Sequence, residues 1–273
     1  MYRRVGVATT FSPRFLAVLA EAGLICRYLS APFCLIHADA FNSEKEARFR
    51  AELVKLNLDL ESEVRFEPGE PVESILKAQR EEKIDLLIAG ALETETVHRN
   101  FAGHVARELL RQAPCDLMLY TEPKEEPVAP ASIYVAIPDF SALSRNAFHR
   151  AVNFAERRGS KSVTLLHVQT TFAEAKEKVA GSTTGSKSSE ELIEHLLAER
   201  QTSAIELDYH LLRGNTGFTA CEFIQSSGAD LLVMPSPMDN KDRPCFAPAL
   251  DWIVQVIPTN LWVIRRALLA DSK

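Results

Sequence analysis

"IDLLIAG", residues 84–90, returns later in the chain as "ADLLVMP", residues 229–235. A short run that is apolar at nearly every position fits a strand covered on both faces, as in a parallel sheet. Its recurrence raises the question of how much else is repeated. Upstream, "CLIHA" at 34–38 answers "TLLHV" at 164–168, and Thr10-Phe11-Ser12 answers Asp139-Phe140-Ser141. Downstream, "APCDLMLY" at 113–120 answers "IPTNLWVI" at 257–264. The landmarks keep one order, so the chain is a tandem duplication.

Between the apolar runs lie segments of helical periodicity. In the first half, "RRVGVAT" reads as a strand and "SPRFLAVLAEAGLICRYL" as a helix, with Ser12 as its N-cap and Pro13 at its first position. A strand "APFCLIHAD", a helix over 44–60, a strand "SEVRFEPG", a helix "PVESILKAQREEKI", the strand "DLLIAG", a helix "HVARELLRQAP" and a strand "CDLMLY" complete it. Strand and helix in strict alternation predict two doubly wound α/β domains, each with a five-stranded, mainly parallel sheet. The expected domains are 1–122 and 132–273. The Pro-rich stretch 123–131 between them is a semi-rigid linker.

The second half carries an insertion around 171–190, ending in "GSTTGSKSS", whose small polar residues predict a mobile loop. Gly181, Gly185, Lys187 and Ser188 imitate a phosphate-binding P-loop, but Ser186 separates glycine from lysine and helical periodicity precedes them where a strand is needed.

The 273 residues, 46% hydrophobic and 25% charged, are enough for two cores. A net charge of −6 argues against a dominant nucleic-acid or anionic-membrane surface. Cys26, Cys34, Cys115, Cys221 and Cys245 are scattered without a C-x-x-C pair, which favours reduced thiols and a cytoplasmic location. No targeting segment and no membrane-spanning run is expected.

Taken together, these landmarks resemble the universal stress proteins in their tandem two-domain form. The strand-end corner is an Asp-Gly-Ser variant, the second strand ends in a histidine, "GEP" at 69–71 leads a helix, "IDLLIAG" is the fourth strand, and "APC" introduces the last. The resemblance implies an adenine-nucleotide α-hydrolase-like fold and, in ATP-binding members, G-x2-G-x9-G-[ST] after the fourth strand, where glycines admit phosphates to backbone amides. It also implies that the domains pair through their last strands, "LMLY" and "LWVI", as a pseudo-dimer within the chain. A homodimer of such chains and an unidentified protein partner are left open.

In the first half that spacing holds as Gly90, Glu93, Gly103 and His104. Glu93 brings a carboxylate where phosphates would lie, and His104 replaces the hydroxyl. Thr10 stands in place of the acid beside the nucleoside. The resemblance therefore implies a degenerate site for ATP or another adenine nucleotide lined by Thr10, Ser12, Gly90, Gly103 and His104. In the second half the positions hold Pro235, Met238, Pro248 and Ala249, and proline has no amide to donate. Asp139, Ser141 and Ser144 survive as the remnant of a lost site.

Phe11 and Phe140 replace the corner glycine, where an aromatic ring either fills the space or stacks on a base. His37 and His167 end equivalent strands, and their duplication suits a packed ring with one nitrogen bonded to backbone. "DNKDRPC" at 239–245 lacks the order of a calcium loop and the cysteine pairs of a zinc site. No motif assigns a nucleophile or base. The expected function is a binding or regulatory protein of the stress response. The alternatives are a ligand-free protein-interaction module and, with the least support, a weak adenine-nucleotide hydrolase.

Overall fold

A computed structural model describes residues 2–58, 63–91, 103–169, 188–200, 203–213 and 218–266. The chain divides into two compact units, Met1–Val128 with Asn240–Pro244, and Ala129–Asp239 with Cys245–Lys273.

The first unit contains β1 (Val5–Thr9), α1 (Phe15–Leu29), β2 (Phe33–His37), α2 (Ser43–Lys55), β3 (Glu63–Phe66), α3 (Pro71–Glu81), β4 (Leu86–Gly90), α4 (His104–Gln112) and β5 (Asp116–Tyr120). Its strands run in the order β3-β2-β1-β4-β5, and the neighbouring pairs are parallel. The second unit contains β6 (Ser132–Ile137), α5 (Ala142–Arg158), β7 (Ser162–Gln169), α6 (Ser189–Ala198), β8 (Glu206–Arg213), α7 (Phe218–Ser227), β9 (Leu231–Pro235), a 3-10 turn (Pro248–Leu250), α8 (Asp251–Val256) and β10 (Asn260–Ile264). Its order, β10-β9-β6-β7-β8, repeats the first in reverse reading, again with parallel pairs.

Val5, Val7, Leu35, Ile36, Leu86, Leu87 and Ile88 are fully buried, because helices cover a parallel sheet on both faces. This explains why the central strands carry uninterrupted apolar runs. β1 pairs with β2 on one side and β4 on the other, and β6 likewise with β7 and β9. The order of strands reverses at those points, so the ends of β1 and β4, and of β6 and β9, flank the crevice where open α/β sheets hold ligands.

Local chemistry accounts for most boundaries. α3 starts where Glu70 accepts from the amides of Val72 (2.9 Å) and Glu73 (3.1 Å), with Pro71 at the first position. α2 starts at Asn42, whose side chain accepts from Glu44 and Lys45. The edge strand β3 is tied to α3 by Arg65, which contacts Glu67 at 2.9 Å and Glu82 at 2.6 Å.

One expectation is corrected. α1 begins at Phe15 rather than at Pro13, and Ser12 does not cap it. The Phe15 amide reaches the Ser12 carbonyl at 3.0 Å, closing a turn that holds residues 11–14 out of the helix. That turn lets Phe11 enter the aromatic cluster described below, and this packing overrides a local capping preference. The segment 171–190 lies outside the described residues as far as 187, but Ser188 to Glu190 are ordered as the cap and first turn of α6. Ser188, the last member of the false P-loop, accepts from the Glu191 amide at 3.2 Å while Glu191 bonds back at 2.8 Å.

Candidate functional site

At the end of β1, Phe11 turns into a group of rings. It stacks on Phe49 of α2 with centroids 4.4 Å apart, and meets His37 at 5.4 Å and Phe15 at 5.7 Å edge to face. The Arg48 guanidinium lies 4.2 Å from its centroid. Phe49 is fully buried and also touches Phe15, His37 and Phe66. Phe49 sits in the charged stretch "EKEARFRAE" and carried no signal that joined it to Phe11. The ring at the first corner is therefore occupied by the protein's own side chains. Thr10 is exposed beside it and Ser12 is half-buried.

Gly90 ends β4, next to the β1 corner in the sheet. A Cβ there would stand 3.2 Å from Val18 of α1, so this glycine has a packing role that needs no phosphate. Gly103 is the N-cap of α4 and supplies no side-chain bond to it; His104 is its exposed first residue. Thr10, Ser12 and Gly90 thus gather at two adjacent strand ends, with Gly103 and His104 opening the helix that leads into β5. Glu93 lies outside the described residues.

The second corner is built from polar groups. Asp139 Oδ1 accepts the Ser141 amide at 3.0 Å and the Ser144 hydroxyl at 2.7 Å. Ser141 caps α5, accepting the Ser144 amide at 3.4 Å, and the two hydroxyls lie 3.2 Å apart. Partial burial raises the Asp139 pKa, but the bonds from Ser141 and Ser144 and the nearby His167 ring outweigh it, so the net shift is downward. Asp139, Ser141 and Ser144 are accordingly brought together. Phe140 tilts over His167 at 4.8 Å.

After β9 the chain forms a closed loop. The Ser236 hydroxyl donates to the Cys245 carbonyl at 2.7 Å, the Cys245 amide donates to the Pro237 carbonyl at 2.7 Å, and the buried Arg265 guanidinium bonds the Ser236 hydroxyl. Pro248 opens the 3-10 turn that follows. This loop spends its polar groups on itself. Ser236 and Arg265 carried no recognisable motif.

The two histidines behave alike on one side and differ on the other. His37 Nδ1 lies 3.1 Å from the Thr9 carbonyl and His167 Nδ1 3.3 Å from the Ile137 carbonyl, each the registered partner on the neighbouring strand. His167 Nε2 also meets the Ser189 hydroxyl at 3.4 Å. His37 Nε2 faces Asp39 Oδ2 at 3.9 Å, beyond hydrogen-bond range. These rings join strand ends.

Cys26, Cys34, Cys115 and Cys221 are buried, Cys245 is exposed, and none of the five forms a disulfide. Burial pushes the thiols of Cys26 and Cys221 up to about 12 and that of Cys34 up to about 11, which leaves them protonated and unreactive at neutral pH. Among the described residues there is no group of three or more His, Cys, Asp or Glu side chains suited to a metal ion. Among the same residues no helix is long and apolar enough to cross a membrane.

Comparison with known proteins agrees with this architecture. The profile of the universal stress protein family matches residues 38–121 and again 132–265. A Pseudomonas aeruginosa protein provisionally named a universal stress protein superposes with a TM-score of 0.72 at 16% identity, covering 97% of this chain and 93% of that one. A universal stress protein from Archaeoglobus fulgidus gives 0.68 at 15% identity, over 96% of this chain and 98% of that one. One solved in complex with cAMP is 26% identical over 35% of this chain and 78% of its own, at a TM-score of 0.30, too low to carry an argument. No curated protein matches.

Proposed function

The chain belongs to the universal stress protein family, and we propose that it acts in the stress response as a binding and regulatory protein with a degenerate adenine-nucleotide site in its first domain and a lost one in its second. The observation that supports this reading is that side chains beside each crevice are engaged with one another. Phe11 occupies the first corner against Phe49, and Ser236, Cys245 and Arg265 close the loop that borders the second. In the first domain the glycine N-cap of α4 still leaves amides without a side-chain cap, so Gly90, Gly103 and His104, with Thr10 and Ser12, are the residues to hold an adenine nucleotide weakly.

The experiment is direct. Purified protein is denatured and assayed for released nucleotide, and its melting temperature is followed with millimolar ATP, ADP, AMP or cyclic dinucleotides. A ligand at a hundred times its dissociation constant adds about 2.7 kcal/mol. A small rise that disappears in His104→Ala supports the degenerate site. A flat response to every nucleotide rejects it and leaves the ligand-free interaction module. Near-stoichiometric ATP that persists after the first-domain site is mutated places the ligand in the second domain and overturns the proposal. If Glu93 is the obstacle, Glu93→Gly raises ATP affinity.

We further propose that the protein works in the cytoplasm and that the two domains pair within one chain through "LMLY" and "LWVI". The apolar character of both segments and the tandem arrangement support that pairing. Sedimentation of the intact chain, compared with each domain expressed alone, tests it.

A further inference from the structure

On the helical side of the second domain, Glu199 is the C-cap that follows α6. A carboxylate there opposes the helix dipole, which favours cations at that end. Glu199 is nevertheless held in place. Its Oε1 accepts from the Arg145 guanidinium of α5 and lies 3.3 Å from His195 Nδ1, and its Oε2 lies 3.0 Å from His149 Nε2 of α5. Arg200, the next residue, reaches back to Asn153 and, at 3.2 Å, to Glu156, both on α5. One acid and one arginine thus fasten the end of α6 to the middle of α5.

The histidines differ in setting. The His195 side chain is 57% exposed, whereas that of His149 is 29% exposed and lies beside two guanidiniums. Burial first, and then the Arg200 and Arg145 charges, hold the His149 ring below the ordinary histidine range despite the pull of Glu199. The neutral ring can donate Nε2–H to Glu199; a second proton would place a third cation next to Arg145 and Arg200.

We infer that the α5–α6 junction is a proton-sensitive latch, closed while His149 is neutral and loosened when His149 is protonated. A histidine held below its unfolded value binds fewer protons when folded. Its contribution is therefore complete above pH ~6.5 and is lost as the pH falls from there through the folded value. Through this latch a member of a stress-response family would register acidification, and the inference is independent of nucleotide binding.

The test is hydrogen exchange of the α6 amides in the full chain at pH 7.5 and 5.5, corrected for the intrinsic pH dependence of exchange and referred to α1 as an internal control. In the wild type, α6 protection should fall about twofold or more at pH 5.5. His149→Gln, which keeps an N–H donor but cannot take the proton, should hold α6 protection equal at both pH values. Glu199→Gln should lower protection at pH 7.5. His195→Gln should retain the acid response. Equal corrected protection in the wild type at both pH values overturns the inference, as does a surviving response in His149→Gln or its loss in His195→Gln. A parallel fall in α1 would mark global destabilisation and equally overturn a local latch.

Discussion

At the end of β1 an aromatic side chain is drawn under α2, whereas at the end of β6 the equivalent aromatic stays over a histidine and leaves Asp139 bonded to two serines. The two corners descend from one repeated pattern, yet one is held by ring packing and the other by charge-assisted hydrogen bonds. In the first, burial of rings replaces the polar cap, and the helix starts later, at Phe15. In the second, the cap survives and α5 starts directly after it, at Ala142. Two copies of one domain can thus build the same corner from different interactions while the strands beneath keep one topology.

The strongest way to break this comparison is Phe49→Ala. Removing a fully buried ring that touches Phe11, Phe15, His37 and Phe66 should cost about 3–5 kcal/mol, read as a lower denaturant midpoint with the second-domain amides keeping their protection. A loss under ~1 kcal/mol would mean that the ring cluster does not hold the first corner. Next in size, Arg265→Met removes a buried charge-assisted bond to Ser236 and should cost about 2 kcal/mol, seen as faster exchange at Ser236 and Cys245. Unchanged exchange there would count against the closed loop.

The caps sharpen the comparison further. Ser141→Ala should destabilise by about 1 kcal/mol, while Ser12→Ala should stay within ~0.5 kcal/mol, since only the first of these serines caps a helix. Equal effects in thermal melts would erase the distinction drawn between the corners. The smallest effect is expected for Asp139→Asn, below about 1 kcal/mol at neutral pH after allowance for solvent screening. Because the folded Asp139 carboxyl lies below its ordinary range, its contribution is present above pH ~3.9 and is lost as the pH falls through the folded value. Wild type and variant should therefore converge as the pH falls below the folded value, and a constant gap across the titration would show that the charge is not what the serines hold.

Much of this was legible in the residues taken alone. The repeat, the ten strands and the helix that begins at Pro71 follow from apolar runs, periodicity and one Glu-Pro cap, all local signals. Asp139, Ser141 and Ser144 were also legible as a group, through their resemblance to the family's corner motif. Phe11 was not: filling the corner and stacking on a base leave the same letters in the sequence, and the choice depends on Phe49, thirty-eight residues away. The same holds for Ser236 with Arg265 and for Glu199 with His149, pairs joined only when distant segments pack.

By itself, then, the sequence determined that this protein is two copies of one α/β domain, because burial of a parallel strand writes itself into consecutive residues. Tertiary structure alone decided what became of each crevice. Those outcomes rest on contacts between side chains far apart in the chain, and no short-range pattern records which of several available partners a ring or a guanidinium will meet.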